Sequence, residues 1–404
     1  MNQDMHFDLV VLGILCAFIA YSLVTRAVDR SLLTLPIIFM CLGFALSEPL
    51  RTAAPPEVLD EGKRLLAEVT LVLVLFSDAS HVQFSQLRQS WRLPARMLLI
   101  GLPLSIGLGT LVTFLVSPEG GIAMALLTAA VLTPTDAALG QSVVTSANVP
   151  EKLSETINVE SGLNDGLVLP FVLLGAILAS AGMANAATDG LALKAVLQIV
   201  LGPLAGIFTG WVVARLMDVA QARRLISASA EGVVFLAAAF AAYVLATVIG
   251  GNGFIAAFVA GMIFGNTYRH NIRFVREFME GAGLLLTMSS FLVFGALLLP
   301  EGLAHASMKT VLIAVLFLTV VRVGAIWLSL LGSGLKTREK LFLGWFGPRG
   351  LASILFTLVI IDEFEFANEA ELLACVSMTV ALSIIVHGLS STPLARWIGR
   401  VSGS

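Results

Sequence analysis

The stretch INVESGLNDGLVL (157–169) sets Glu160, Ser161, Asn164 and Asp165 inside a run that otherwise reads as apolar helix. Ionisable side chains in such surroundings are costly and are kept for function. Residues four apart on a helix share a face, so Ser161 and Asp165 line one face and Glu160 and Asn164 the neighbouring one. The first face offers a hydroxyl and a carboxylate, hard oxygen ligands for a small cation. The second offers a carboxylate and an amide.

A second buried carboxylate needs a neutralising cation, and Arg322 in FLTVVRVGAIW is the candidate. A buried pair is costly, but an unpaired buried charge costs more. The expectation is therefore a structural Glu160–Arg322 pair braced by Asn164, with Asp165 left as the free, titratable group. The alternative for Asp165 is a pairing of its own with Arg349. Asp136 belongs beside Asp165, and Thr135 would add a hydroxyl or a backbone carbonyl. Asp78, in LVLFSDASHV, either lines the approach to this site or marks the membrane interface. The histidines, His387 among them, read as packed or interfacial residues rather than pH sensors.

These groups need a membrane scaffold to position them. Of 404 residues, 57% are hydrophobic and 13% charged, and the mean hydropathy is +0.93. Soluble domains carry about 25% charged residues, so the expected fold class is an all-α polytopic membrane protein. A spanning helix needs roughly 20 apolar residues. Such runs occur at 8–26, 32–49, 66–80, 95–116, 121–147, 153–181, 192–218, 227–249, 251–267, 278–299, 309–332, 338–361 and 370–395, thirteen in all. The first lacks a basic leader and is expected to be a span rather than a cleaved signal. The net charge of −3 says nothing about nucleic acid, but no basic block longer than a few residues exists, so no nucleic-acid partner is expected, and no P-loop or cofactor motif is present. Cys16, Cys41 and Cys375 lie in apolar runs without metal-type spacing and read as small hydrophobes.

An odd number of spans separates the termini. With the N-terminus outside, 17 of the 24 Lys and Arg residues, Arg30 and Arg88 among them, fall in inner loops and the tail. Five (Arg51, Lys63, Arg64, Lys194, Lys309) fall outside, while Arg322 and Arg349 sit within spans. Positive residues stay inside, so the expected orientation is N-out and C-in, with localisation in a bacterial inner membrane.

Two spans are interrupted. In the fifth, LTPTDAALG puts Pro134 where its missing N–H and its ring open the helix. In the twelfth, Gly347, Pro348, Arg349 and Gly350 stand in succession. Exposed backbone at membrane depth is tolerated only where it is packed in protein or lines a watery cavity. Pairing spans 1–6 with spans 8–13 places the two breaks at equivalent positions in halves of opposite topology. Interrupted helices in inverted repeats point to the site of a secondary transporter; two unrelated proline kinks are the plainer alternative.

TPTDA (133–137), VPEKLSETINVESGLNDG (149–166), GNGFIAAFVAGMIFGN (251–266), VVRVGAI around Arg322 and GWFGPRGLASI (344–354) occur in this order. Together they resemble the monovalent cation:proton antiporters of the CPA1 type, which include NhaP-like antiporters and sodium/proton exchangers. The resemblance implies the NhaA-like antiporter fold, with spans five and twelve crossing as discontinuous helices, and a homodimer in the lipid bilayer. It implies a dimerisation domain (1–80 and 227–299), a core ion-transport domain (95–181 and 309–395) and a linker helix (192–218). Asp165 matches the ion- and proton-binding aspartate, Ser161, Thr135 and Asp136 its ion-site neighbours, and Glu160 with Arg322 the buried pair supported by Asn164. At Asp78 the sequence FSDAS departs from the commoner version with glutamate. The chain stops shortly after the last span, without the long cytoplasmic tail of many relatives.

The expected activity is electroneutral exchange of one monovalent cation, sodium, for one proton by alternating access; potassium is the alternative cation. Asn164 leaves a single free carboxylate, Asp165, where relatives with two adjacent aspartates are electrogenic. From other classes, a cation channel would need a continuous pore. An intramembrane aspartyl protease would need glycine where GLND has asparagine.

Overall fold

The computed structural model describes residues 3–28, 33–82, 84, 91–144, 146–181, 189–270 and 273–402. Arg30 and Arg88 of the charge asymmetry lie outside the described residues. The described residues form sixteen α-helices. The first eleven are α1 Gln3–Val28, α2 Leu35–Ala45, α3 Ser47–Ala53 and α4 Pro56–His81; α5 Arg92–Val116; α6 Gly121–Leu132, α7 Ala137–Val144, α8 Glu151–Ala181, α9 Asp189–Ala222, α10 Ala228–Val248 and α11 Gly253–Thr267. Then come α12 (273–304), α13 Met308–Ser329, α14 Thr337–Trp345, α15 Leu351–Glu363 and α16 Glu369–Ser402.

Every expected span coincides with a helix or a pair of helices. Among the described residues, eight helices are long and apolar enough to cross a membrane by length and composition, and α2 with α3, bent by 51°, makes a ninth. The remainder have local reasons for falling short. α4 carries Asp60, Glu61, Lys63 and Arg64 in its first half. α6, α11, α14 and α15 are short, and α6 and α14 each end at a break.

Helices pack closely where side chains are smallest, as expected where lipid removes the hydrophobic drive between helices. Gly206 and Gly210 of α9 lie against Ala256 and Ala260 of α11, and Gly261 and Gly265 of α11 lie against the Phe76 and Ser80 carbonyls of α4. Gly166 on α8 meets the Phe258 ring of α11, which brings the Asp165 level of α8 against that packed group. Helix starts are capped: Asn252 Oδ1 accepts the Phe254 and Ile255 N–H groups at 3.0 Å. Ser307 and Thr310 form a reciprocal capping box on α13. Ahead of α6, exposed Glu119 accepts a hydrogen bond from Lys309 at 2.6 Å, which with its backbone and Ser117 hydrogen bonds holds the carboxyl down at about 2. Cys16, Cys41 and Cys375 are free thiols.

Three helices contain one π-turn: Met97–Gly101 in α5, Phe294–Leu298 in α12 and Phe317–Val321 in α13. Such turns insert an extra residue and re-aim the next turn of helix, frequently at functional sites. The one in α13 ends directly before Arg322.

Candidate functional site

The interruption between α6 and α7 covers 133–136 and that between α14 and α15 covers 346–350. The two meet. Asp136 N–H donates to the Pro348 carbonyl at 2.7 Å, and the Ser353 hydroxyl of α15 donates to the Val131 carbonyl at 2.7 Å. Breaking a helix orphans carbonyls on one side and N–H groups on the other, and here opposite charges take up both kinds. The fully buried Arg349 guanidinium donates through Nη1 to the Thr133 and Pro134 carbonyls at the C-terminal end of α6. The Asp136 carboxylate accepts Leu351 N–H at 2.8 Å and Leu139 N–H at 3.3 Å, at the starts of α15 and α7. Each charge thus faces the helix dipole end of opposite sign.

Two glycines are required by this crossing. A Cβ at Gly350 would strike the Asp136 carboxylate, and one at Gly347 would strike the Arg322 guanidinium. Sequence reasoning marked both as helix breakers. Their real constraint is the closeness of a charged group from another helix, which no local pattern announces.

α8 runs beside the crossing. Glu160 and Arg322 form a two-pronged ion pair, Nη1 to Oε1 at 2.7 Å and Nη2 to Oε2 at 3.0 Å, with side chains 3% and 4% exposed. Asn164 braces it, donating to Glu160 Oε1 at 3.3 Å and to Thr135 Oγ1 at 2.7 Å while accepting Thr135 N–H at 3.1 Å. The Thr135 and Ser161 hydroxyls lie 3.1 Å apart. The unwound segment of the fifth span is therefore fastened to both faces of α8 one turn before Asp165.

Asp165 is buried and its Oδ1 has no hydrogen-bond partner among the described residues. No ion pair joins it to Arg349 among those residues. Arg349 still acts on it electrostatically, as do the carboxylates of Asp78, Asp136 and Glu160. Asp78 is half-buried on α4, whose carbonyl at that residue comes 3.8 Å from the Gly162 Cβ position on α8. The site thus gathers Thr135, Asp136, Glu160, Ser161, Asn164 and Asp165 from the fifth and sixth spans, Arg322 from the eleventh, and Pro348 and Arg349 from the twelfth. Asp136 differs from a simple ligand, because both carboxylate oxygens accept backbone N–H groups. Ser353, Ser383 and His387, buried around the crossing, carry no distinguishing sequence signal.

The arrangement can hold a small cation. Among the described residues Asp165 Oδ1 is unclaimed, and the Ser161 hydroxyl one turn back on the same helix face lies beside that of Thr135. Glu160 is neutralised by Arg322, and Asp136 is held by backbone N–H groups.

Comparison with known proteins agrees with this geometry. The family described as "Sodium/hydrogen exchanger, transmembrane" matches residues 13–397. The K(+)/H(+) antiporter NhaP2 of Shewanella oneidensis is 28% identical over 274 residues, 67% of this chain and 46% of the relative. The K(+)/H(+) antiporter NhaP of Alkalimonas amylolytica is 26% identical over 353 residues, 83% of this chain and 57% of the relative. The chain thus spans about half the length of these curated relatives. The solved structure of the sodium proton antiporter MjNhaP1 from Methanocaldococcus jannaschii superposes with a TM-score of 0.78 at 17% identity, covering 98% of this chain and 99% of the other. That likeness is one of fold, and it gives the expected all-α NhaA-like architecture a solved counterpart.

Proposed function

The chain belongs to the sodium/hydrogen exchanger family, a family of secondary transporters rather than enzymes, and from that premise we propose that it exchanges a monovalent cation for a proton across a membrane. Asp165 binds either the cation or the proton, and competition for one carboxylate couples the two fluxes. Ser161 and Thr135 supply further oxygens. Glu160, Arg322 and Asn164 hold the helix that presents Asp165. Asp136 and Arg349 hold the crossing and add charge without leaving their backbone partners, while Asp78 lines the approach from α4. The observation that carries this reading is Asp165 Oδ1, unclaimed among the described residues, beside Glu160 and Asp136 carboxylates that are engaged.

Exchange is electroneutral, one cation for one proton, because the residue beside Asp165 is the amide Asn164 and Glu160 is neutralised by Arg322. The helices at 95–181 and 309–395, which carry both breaks, move as one core against 1–80 and 227–299, with 192–218 as the linker. The second group also forms the homodimer. The N-terminus lies outside and the C-terminus inside a bacterial inner membrane, as the basic residues are distributed.

Sodium is the cation expected from the family. The names of the two curated relatives favour potassium as the second reading. Proton flux in proteoliposomes with an internal pH dye, with Na⁺, Li⁺ and K⁺ added in turn, separates them. Flux coupled to one cation and indifferent to a valinomycin-clamped voltage is expected. Absence of coupled flux with all three sinks the proposal.

A further inference from the structure

The break between α14 and α15 exposes backbone groups that the charged crossing does not cover. The Trp345 carbonyl, which accepts Gly347 N–H at 2.8 Å and keeps a second lone pair, ends α14, and Arg349 N–H precedes α15. Both are met from α16 by two residues one turn apart. Arg349 N–H donates to Ser383 Oγ at 2.6 Å. His387 Nε2 lies 3.0 Å from the Trp345 carbonyl, and its Nδ1 lies 3.2 Å from Ser383 Oγ. Ser383 is 0% exposed and His387 1%. The Trp345 ring packs on the imidazole at 5.2 Å between centroids, and its Nε1 donates to Ser390 at 3.0 Å.

One tautomer of His387 joins these groups in a single chain. An amide N–H can only donate, so Ser383 Oγ accepts from Arg349 and keeps its own proton to give. Both ring nitrogens of His387 face a carbonyl, Nε2 that of Trp345 at 3.0 Å and Nδ1 that of Ser383 at 3.1 Å, and the chain forms in the tautomer that carries hydrogen on Nε2. Nδ1 of the neutral ring then accepts from Ser383. The result is a directed chain from the Arg349 amide through Ser383 and His387 to Trp345. It closes the break from one side of a single helix.

We propose that Ser383 and His387 are positioning residues for the cation site, acting through Arg349. The Arg349 backbone held by Ser383 is continuous with the guanidinium on the Thr133 and Pro134 carbonyls. The next residue, Thr135, contacts Ser161. Fixing the break in the twelfth span therefore fixes the height of the fifth-span ligands against Asp165. This inference rests on the antiport reading for its transport consequence, but the clamp itself is independent of it. Partners behind the ligands of a metal site typically change cation affinity about 10–100-fold when lost.

The test uses the full chain in proteoliposomes with Ser383→Ala, His387→Leu and His387→Gln. A glutamine amide can accept from Ser383 and donate to Trp345, so it should keep the chain. Ser383→Ala and His387→Leu are expected to raise the KM for the transported cation about tenfold with Vmax within about twofold, as lost outer partners do. The double variant should be no worse than the worse single, since both cut one chain. His387→Gln should stay near wild type. In parallel, hydrogen exchange of the 344–352 peptide should be faster in the first two variants and normal in His387→Gln. Unchanged KM and exchange in Ser383→Ala overturns the proposal, as does a His387→Gln defect equal to that of His387→Leu. If the wild type shows no coupled flux, the antiport reading fails by itself, and the clamp stands or falls on the exchange data. His387→Leu protein that does not fold leaves Ser383→Ala, a loss of one oxygen atom, to decide.

Discussion

The Asp136 carboxylate accepts the backbone N–H of Leu351 at 2.8 Å, although 215 residues separate the two in sequence. With Leu139 N–H on its other oxygen, it places negative charge where the starts of α7 and α15 converge. Arg349 answers from the opposite side, on the last carbonyls of α6. Two broken helices can cross in an apolar setting because each exposed end finds a fixed charge of the opposite sign.

Asp136→Asn keeps an acceptor oxygen but removes that charge. The expected loss is about 1–2 kcal/mol, at the upper end for a charge at a buried helix start. Thermal unfolding of purified protein measures it, and a variant as stable as wild type would show that the charge does not hold the crossing.

Asp165→Asn removes the charge of the carboxylate whose Oδ1 is unclaimed among the described residues. Coupled flux is expected to fall about 100-fold or more, the equivalent of about 2.7 kcal/mol. The melting temperature should not fall, because Oδ1 has no hydrogen bond to lose among the described residues. Proton-coupled flux at wild-type rate in this variant would remove the mechanism.

The proposed competition for Asp165 gives transport a definite pH dependence. Falling pH fills the carboxylate with protons and weakens the cation. The apparent KM should therefore rise by about tenfold for each unit of acidification, once the protonated form predominates, since one unit corresponds to about 1.36 kcal/mol. A KM independent of pH, with only Vmax changing, would place the proton on another group.

Glu160 and Arg322 should show the asymmetry of a buried pair. Removing one partner, in Glu160→Gln or Arg322→Met, is expected to cost about 3–5 kcal/mol by stranding the other charge. The double variant should lose less than either single. Strictly additive losses in thermal melts would mean that the two side chains act separately.

Gly350→Ala tests the closeness of the crossing. Its methyl would meet the Asp136 carboxylate and lie 2.8 Å from Leu139 Cδ1. Overpacking of this kind costs about 1–3 kcal/mol, and transport should fall with it. Gly107→Ala on α5, where nothing lies within 4 Å, should be neutral in both assays. Equal behaviour of the two variants would contradict the geometry.

Much of this molecule is legible one residue at a time. Burial in lipid depends on local hydropathy, so the spans could be placed from composition. Proline and a run of glycines interrupt a helix wherever they fall, which located both breaks. Helical periodicity put Ser161 with Asp165 and Glu160 with Asn164. Charge balance then selected Arg322 for Glu160, because the only other arginine away from the span ends is Arg349.

The partners of each break were not legible in this way. Asp136 read as a cation ligand from its neighbours in sequence; that packing also sets its oxygens on Leu139 and Leu351 N–H groups was not legible. Gly347 and Gly350 read as breakers, whereas their lack of a side chain admits Arg322 and Asp136. Ser383 and His387 read as ordinary residues of an apolar helix until the twelfth span lay against them. Hydropathy, helix breaking and periodicity are properties of neighbours in the chain. A hydrogen bond across more than two hundred residues exists only once the helices have packed, so its partners are set by where the whole bundle places them.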